Sequence, residues 1–379
     1  GDESTEGSGL NQGINDVSNV FKFVSDRKDD NGDYNKGGGI NRIIQPLLKD
    51  GYPVLKNNES LGYLFNGNSS NNVKQAYLDL NNLFVLDDAG YYSYDSNLNY
   101  AYLDKSKGTF EVYNQPGSGF FPFTTQEHMF DAKAVQDNAV IGGDGMNHYF
   151  GMTVESTFIQ PNNGRITYVN EDSNETTEDM VFEFRGDDDV WVFIDGVLVM
   201  DLGGIHSPIE GSINFATGVV TEDGQTTSIY ERFRAAGVEN LKDIFESNGN
   251  GGYRFTDYSD HEIKFFYLER GNDQANCKIR FNLQTIPNDS LLVTKEVTDE
   301  DNNDLDYVED IDFMFQILKD GEEWSNATYD LYEGNVLITE NKSTDSHGYF
   351  TLKHGQSALF KFDPNSDQTF EIKEEGGYL

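Results

Sequence analysis

Three successive aspartates, Asp187, Asp188 and Asp189, follow Gly186 and lead into the apolar run Val190-Trp191-Val192-Phe193-Ile194. A second apolar run, Val197-Leu198-Val199-Met200, is separated from the first by Asp195-Gly196 and closes on Asp201. Two β-branched runs joined by Asp-Gly predict a hairpin with a type I′ turn, since both turn positions need positive φ. With Ile194 opposite Val197, each step back along one strand pairs with a step forward along the other, so Asp201 is expected opposite Val190. The hairpin thereby returns a fourth carboxylate beside the aspartate cluster. Asp195 sits at the far end of the strand, about 20 Å away. It is a turn residue, too distant to share a ligand sphere with the cluster.

Carboxylates this close repel unless a cation or hydrogen-bond donors compensate them. Three readings stand side by side. A hard divalent cation with oxygen ligands, Ca²⁺ above all, suits the cluster because it tolerates irregular geometry and many oxygens. A solvated acidic loop before a strand is the plain structural reading in a chain with 66 acidic residues. A glycosidase-type carboxylate pair is the weakest, since acidic pairs occur throughout and nothing singles one out.

Other residues with chemical potential carry less. His206, in Gly203-Gly204-Ile205-His206-Ser207-Pro208, follows the hairpin closely enough to count among candidate ligand contacts, with a structural hydrogen-bonding role as the plainer reading. No Ser or Cys lies in a nucleophile elbow, no His pair has zinc spacing, and no phosphate-binding glycine loop follows a strand. Asp29-Asp30-Asn31-Gly32-Asp33 fails as a calcium loop of the helix–loop–helix kind. Counting from Gly32 puts Arg27 at the first ligand position and Gly38 at the twelfth. The single cysteine, Cys277, excludes an internal disulfide, and its alternation with Ile279 and Phe281 makes it a buried strand residue.

The elements that must hold these residues are mostly strands. With 38 Gly, 21 Tyr and 27 Phe among Asn/Asp/Gly clusters, the chain reads as many short strands joined by polar turns. Asn72–Leu80 and Thr227–Ala236 are the best helix candidates. Residues 1–19 have too little apolar surface to fold and read as a flexible tail. A break at Ile286-Pro287-Asn288-Asp289-Ser290 divides the remaining 360 residues into domains at 20–287 and 288–379. The charge shifts there: the second part carries −16 in 92 residues, about twice the acidity per residue of the first. The whole chain carries −39, which makes nucleic acid and anionic lipid poor partners. Apolar runs as short as Val190–Ile194 span no bilayer.

Gly186–Gly204 resembles the core signature of the fibro-slime domain of bacterial surface proteins, a relative of the protective-antigen-type β-sandwich of yeast flocculins and other adhesins. Leu83-Phe84, Asp87–Ser96, Phe120-Phe121-Pro122-Phe123, Tyr149–Phe158 and Phe265–Arg270 are similar to further motifs of that family, in the same order over roughly residues 20–287. The resemblance implies a calcium site whose two adjacent aspartates, joined by a cis peptide, fall on Asp187 and Asp188. The ion in turn ligates sugar hydroxyls. The family's second calcium loop would be Gly271–Asn276, supplying Asn272 and Asp273, with Asn276 toward the ligand. Asp189 stands where many members have glycine, so metal is better supported than glycan. Residues 290–379 resemble the collagen-adhesin B-type stalk repeats, on Leu292–Val297, Phe313–Leu318, Gly348–Gln356 and Phe370–Glu374. Members often carry a Lys–Asn isopeptide bond promoted by an acid. Lys295 matches the lysine and Glu374 the acid, while the usual asparagine strand is not complete before Leu379.

Together these readings predict an all-β protein: a large elaborated β-sandwich with a few short helices, then a smaller immunoglobulin-like β-sandwich. The expected function is that of a non-enzymatic adhesin fragment, binding glycans of a host, plant or microbial surface through Ca²⁺ held by Asp187, Asp188, Asp201, Asn272 and Asp273. Asp189 adds a further ligand contact. The expected setting is secreted and cell-surface, without membrane insertion, as part of a longer Gram-positive surface protein attached to the wall through a missing C-terminal region. The alternative is a structural pilus or matrix subunit whose calcium-stabilised domain binds protein.

Overall fold

In a computed structural model the described residues are 40, 42–67, 76–87, 90–114, 116, 119–123, 149–169, 175–187, 189–204, 206–270, 275–286, 290–297, 311–333, 336–362 and 368–375. The fold is all-β. The principal strands, in chain order, are β1 (Val85–Leu86), β2 (Tyr92–Asp95), β3 (Tyr149–Ile159), β4 (Val181–Gly186), β5 (Asp189–Ile194), β6 (Val197–Asp201), β7 (Ile209–Asn214), β8 (Val219–Glu222), β9 (Gln225–Ser228), β10 (Asp260–Arg270), β11 (Cys277–Phe281) and β12 (Gln284–Ile286). They continue as β13 (Ser290–Thr294), β14 (Phe313–Lys319), β15 (Thr328–Glu333), β16 (Val336–Ser343), β17 (Tyr349–Leu352), β18 (Gln356–Lys361) and β19 (Phe370–Glu375).

Contacts divide the chain into two compact units. The first comprises the described residues of Gly1–Glu155, Val181–Arg254 and Glu262–Asn282; the second, those of Ser156–Met180, Phe255–His261 and Leu283–Leu379. The described residues of 288–379 fall in the second unit, together with two segments from earlier in the chain.

In the first unit one sheet has the order β1-β2-β11-β4-β7-β8-β9, and another runs β6-β5-β10-β3. Their facing aromatics interlock: the Phe265 ring of β10 lies 5.8 Å from Phe182 and 5.6 Å from Phe184 of β4. The other side of β5 and β10, carrying Trp191, Phe193, Phe266 and Leu268, is covered by Ile44, Leu55, Leu61 and Leu64. Both faces of β5 are thus buried. That is why Val190–Ile194 is apolar at every position instead of alternating, and why all five residues have no exposed surface.

Among the described residues two short α-helices flank these sheets, α1 (Gly62–Phe65) and α2 (Ile229–Ala235). α2 lies within the predicted Thr227–Ala236 helix, which loses its first two residues to the end of β9. Ser228 caps it, its Oγ accepting from Glu231 N at 3.1 Å. The other predicted helix, Asn72–Leu80, is corrected: residues 72–75 lie outside the described residues, and 76–80 are not helical. Residues 1–19 also lie outside the described residues.

In the second unit β12 pairs with Thr157–Ile159 at the end of β3. One four-stranded sheet has the order β13-β18-β15-β16, and in another β14 pairs with both β17 and β19. The core between them holds Val293, Phe315, Ile317, Tyr329, Leu331, Phe350, Leu352 and Phe360.

Candidate functional site

The hairpin that organises the site turns as expected. Asp195 and Gly196 both have positive φ, 49° and 77°, and Val197 pairs with Ile194. Asp195 is a turn residue: its Oδ1 accepts from Glu262 N at 2.9 Å, tying the turn to β10. The register then shifts between Leu198 and Met200, so Asp201 pairs with Trp191 and not, as expected, with Val190. A bulge places two residues of one strand against one of its partner, and every side chain beyond it moves one step.

Asp187 is almost fully buried, at 6% exposure. Its Oδ1 accepts from the Asn276 backbone N–H at 2.5 Å and its Oδ2 from Asn276 Nδ2 at 2.8 Å. This brings Asn276, expected on the ligand side of the loop, onto the carboxylate. Gly186 makes the approach possible, because a Cβ there would collide with the Asn276 carbonyl oxygen. Burial pushes the Asp187 carboxyl above the usual carboxylate range, while the two hydrogen bonds from Asn276 and the neighbouring His206 pull it back.

Asp189 is fully buried, and its Oδ1 accepts from Gly204 N at 2.7 Å. His206 is buried too, with Nε2 2.7 Å from the Leu202 carbonyl and Nδ1 3.0 Å from the Ser207 carbonyl. Both ring nitrogens thus face backbone carbonyl oxygens.

Asp201 belongs to a neighbouring network. Its Oδ1 accepts from Gly203 N at 3.0 Å, and its backbone N–H donates to Glu222 Oε1 at 2.6 Å. Glu222 Oε2 pairs with Arg42 at 2.5 Å and Arg232 at 2.6 Å. Burial pushes the Asp201 carboxyl up to about 6. The Gly203 N–H, Arg42 and Arg232 oppose that shift, and Glu222 adds to it. Glu222, Arg42 and Arg232 escaped the sequence reading. A signal existed for Glu222: it shares parity with Val220 in a strand ending at Asp223-Gly224, and both are buried, at 2% and 0% exposure.

The acidic residues at the strand mouth fit a hard cation in kind, since the carboxylates supply only oxygens and each of those has a second lone pair. Among the described residues no three His, Cys, Asp or Glu side chains are grouped to hold one ion. Asp188, Asn272 and Asp273, three of the five expected calcium ligands, lie outside the described residues, as does any Asp187–Asp188 cis peptide. A Ser–His contact appears elsewhere, Ser259 Oγ to His261 Nε2 at 2.7 Å. The serine hydroxyl donates to the Thr256 carbonyl at 2.6 Å, so its proton is not directed at the imidazole.

In the second unit Lys295 Nζ lies 2.8 Å from Glu374 Oε1 and 4.4 Å from the centroid of the Phe313 ring. The structure thus brings together the two residues matched to the isopeptide motif. Cys277 is buried in β11, as its alternation predicted.

No family model matches the chain. Several proteins of Dictyostelium discoideum are similar to parts of it. Protein psiF is 36% identical over 103 residues, 27% of this chain and 11% of that protein. Protein psiE is 68% identical over 37 residues, 10% of this chain and 7% of that protein. Protein psiH is 31% identical over 179 residues, 47% of this chain and 17% of that protein. The chain thus spans less than a fifth of the length of each of these curated relatives. Among solved structures, an anti-sigma factor domain-containing protein aligns with 73% of this chain and 94% of its own at 14% identity. Its TM-score of 0.21 is too low to imply a common fold.

Proposed function

We propose that the first unit is a calcium-dependent carbohydrate-binding domain of a secreted, cell-surface adhesin, and that the second serves as its stalk. The observation that carries this reading is the pair Asp187 and Asp189, two carboxylates buried on either side of Asp188 at the mouth of one strand. Burying adjacent carboxylates is costly unless a cation or hydrogen-bond donors compensate them; a cation would add to the donors from Asn276 and Gly204, and an all-oxygen donor set selects Ca²⁺ over zinc. Asp187 and Asp188 hold the ion with Asn272 and Asp273. Asn276 orients Asp187 through its two hydrogen bonds, and Asp201 belongs to the neighbouring Glu222 network. The bound ion supplies open coordination positions that vicinal sugar hydroxyls can fill.

One metal-centred contact desolvates little area, so affinity per site is weak and adhesion relies on display of many copies. A glycan array probed with and without calcium tests the reading. Binding that vanishes with chelator is expected. Calcium-stabilised protein that binds no glycan at millimolar concentration would leave the structural-subunit reading in its place. The engagement of both Asp187 oxygens by Asn276 favours that alternative, since it describes a carboxylate that braces a loop.

A further inference from the structure

Apart from the acidic site, the second unit contains an open groove of about 590 Å³ along β13. β13 is the end strand of its sheet and pairs with β18 alone among the described strands. Lys295 N donates to Gln356 O at 3.0 Å, and Gly355 N donates to Lys295 O at 2.8 Å, so position 295 faces β18. Antiparallel parity then turns Val293 and Leu291 toward β18, and it turns the N–H and C=O of Leu292 and Thr294 outward, along the open edge. These same residues line the groove, with Ile159 and Ile286 supplying apolar wall. Its two charged lining residues, Asp260 and Glu296, are both acidic, and Asp260 is exposed.

We infer that this groove binds an extended, basic peptide segment of another protein by strand addition to β13. Outward-facing backbone groups at every second residue are satisfied by an extended backbone and not by a helix. The apolar wall takes alternate side chains, and the acidic residues select Lys or Arg at the segment's ends. A second copy of this chain is a poor occupant, since each copy carries a net charge of −39. This inference is independent of the calcium reading, which concerns the other unit.

The test uses the full chain and fluorescein-labelled nine-residue peptides of alternating Thr and Val with Lys at both ends, read by anisotropy. The lysine peptide is expected to bind, with affinity falling as salt rises. A version with Glu at both ends should bind at least tenfold more weakly, and one N-methylated at alternate amides should not bind. Asp260→Lys, at an exposed position, should weaken the lysine peptide at least tenfold. Leu292→Pro, which removes an outward N–H, should abolish binding without changing the melting temperature. If that variant does not fold, the N-methylated peptide still reports on the edge. Equal binding of the three peptides, indifference to Asp260→Lys, no binding at millimolar protein, or self-association of the chain in place of peptide binding would each overturn the inference.

Discussion

Asp189 and Asp201 accept hydrogen bonds from consecutive backbone amides, those of Gly204 at 2.7 Å and Gly203 at 3.0 Å. One glycine turn therefore ties together two buried carboxylates from neighbouring strands. Gly203 has no room for a side chain, since a Cβ there would meet the Trp191 indole. Asp187 is held separately by Asn276, and the Asp201 backbone N–H joins the Glu222 network.

Asp201 should make stability depend on pH. Its carboxyl is pushed up to about 6, above the unfolded value near 4. Between those values the folded state keeps a proton that the unfolded state has released, so this contribution falls as pH rises from about 4 to 6. Above that window the accumulated loss is roughly 3 kcal/mol. Asp201→Asn keeps an acceptor for Gly203 and removes the titration. The gap in melting temperature between variant and parent should open across this window, with the variant more stable at pH 7. A gap that does not vary with pH contradicts the assignment.

Calcium should raise the melting temperature and chelator should lower it. Binding to the folded state alone adds about 2.7 kcal/mol at a hundredfold excess over Kd. Asp188→Asn should abolish the response, whereas Asp195→Asn at the distant turn should leave it intact. Gly186→Ala should also weaken the response by displacing the Asn276 carbonyl, and with it the partner of Asp187. If the Asp188 and Asp195 variants both respond as the parent does, the ion binds elsewhere.

Glu222→Gln removes a buried carboxylate that neutralises two arginines, Arg42 at 2.5 Å and Arg232 at 2.6 Å. Breaking a buried pair on one side costs about 3–5 kcal/mol, and the partial exposure of both arginines places this case near 3 kcal/mol. Arg42→Met should cost less, about 1 kcal/mol, because its side chain is 40% exposed. Urea denaturation measures both. Equal losses would contradict the placing of Glu222 as the critical member of the network.

Lys295 should carry no isopeptide bond. Its partner in space is Glu374, while Asn326 precedes β15 and Asn341 lies in β16, two and three strands from β13 in the sheet. At one strand spacing each, even the nearer of these is about 10 Å away. Asn335 and Asn365 lie outside the described residues. Intact-mass measurement should match the sequence, with no loss of ammonia. A mass lower by one ammonia, mapped to Lys295 and an asparagine, would refute this.

Local chemistry by itself determined the features that need only neighbours in the chain. Asp195-Gly196 specified the turn because few residue pairs accept two successive positive φ values. The stretch Thr227–Ala236 marked a helix, although Ser228, which caps α2, delays its start by two residues. The alternation around Cys277 marked a strand with one buried face. Only the tertiary structure decided where Asp201 went. With both faces of β5 buried and β6 buried along its length, no polar face penalises a one-residue slip, so the bulge at Val199 left no trace in the pattern. Only the tertiary structure, likewise, set Arg42 against Glu222, 180 positions apart, since a buried charge takes whichever partner packing delivers. Residues 76–80, expected to be helical, are not, and Tyr77 there stacks on Phe123 with ring centroids 5.7 Å apart.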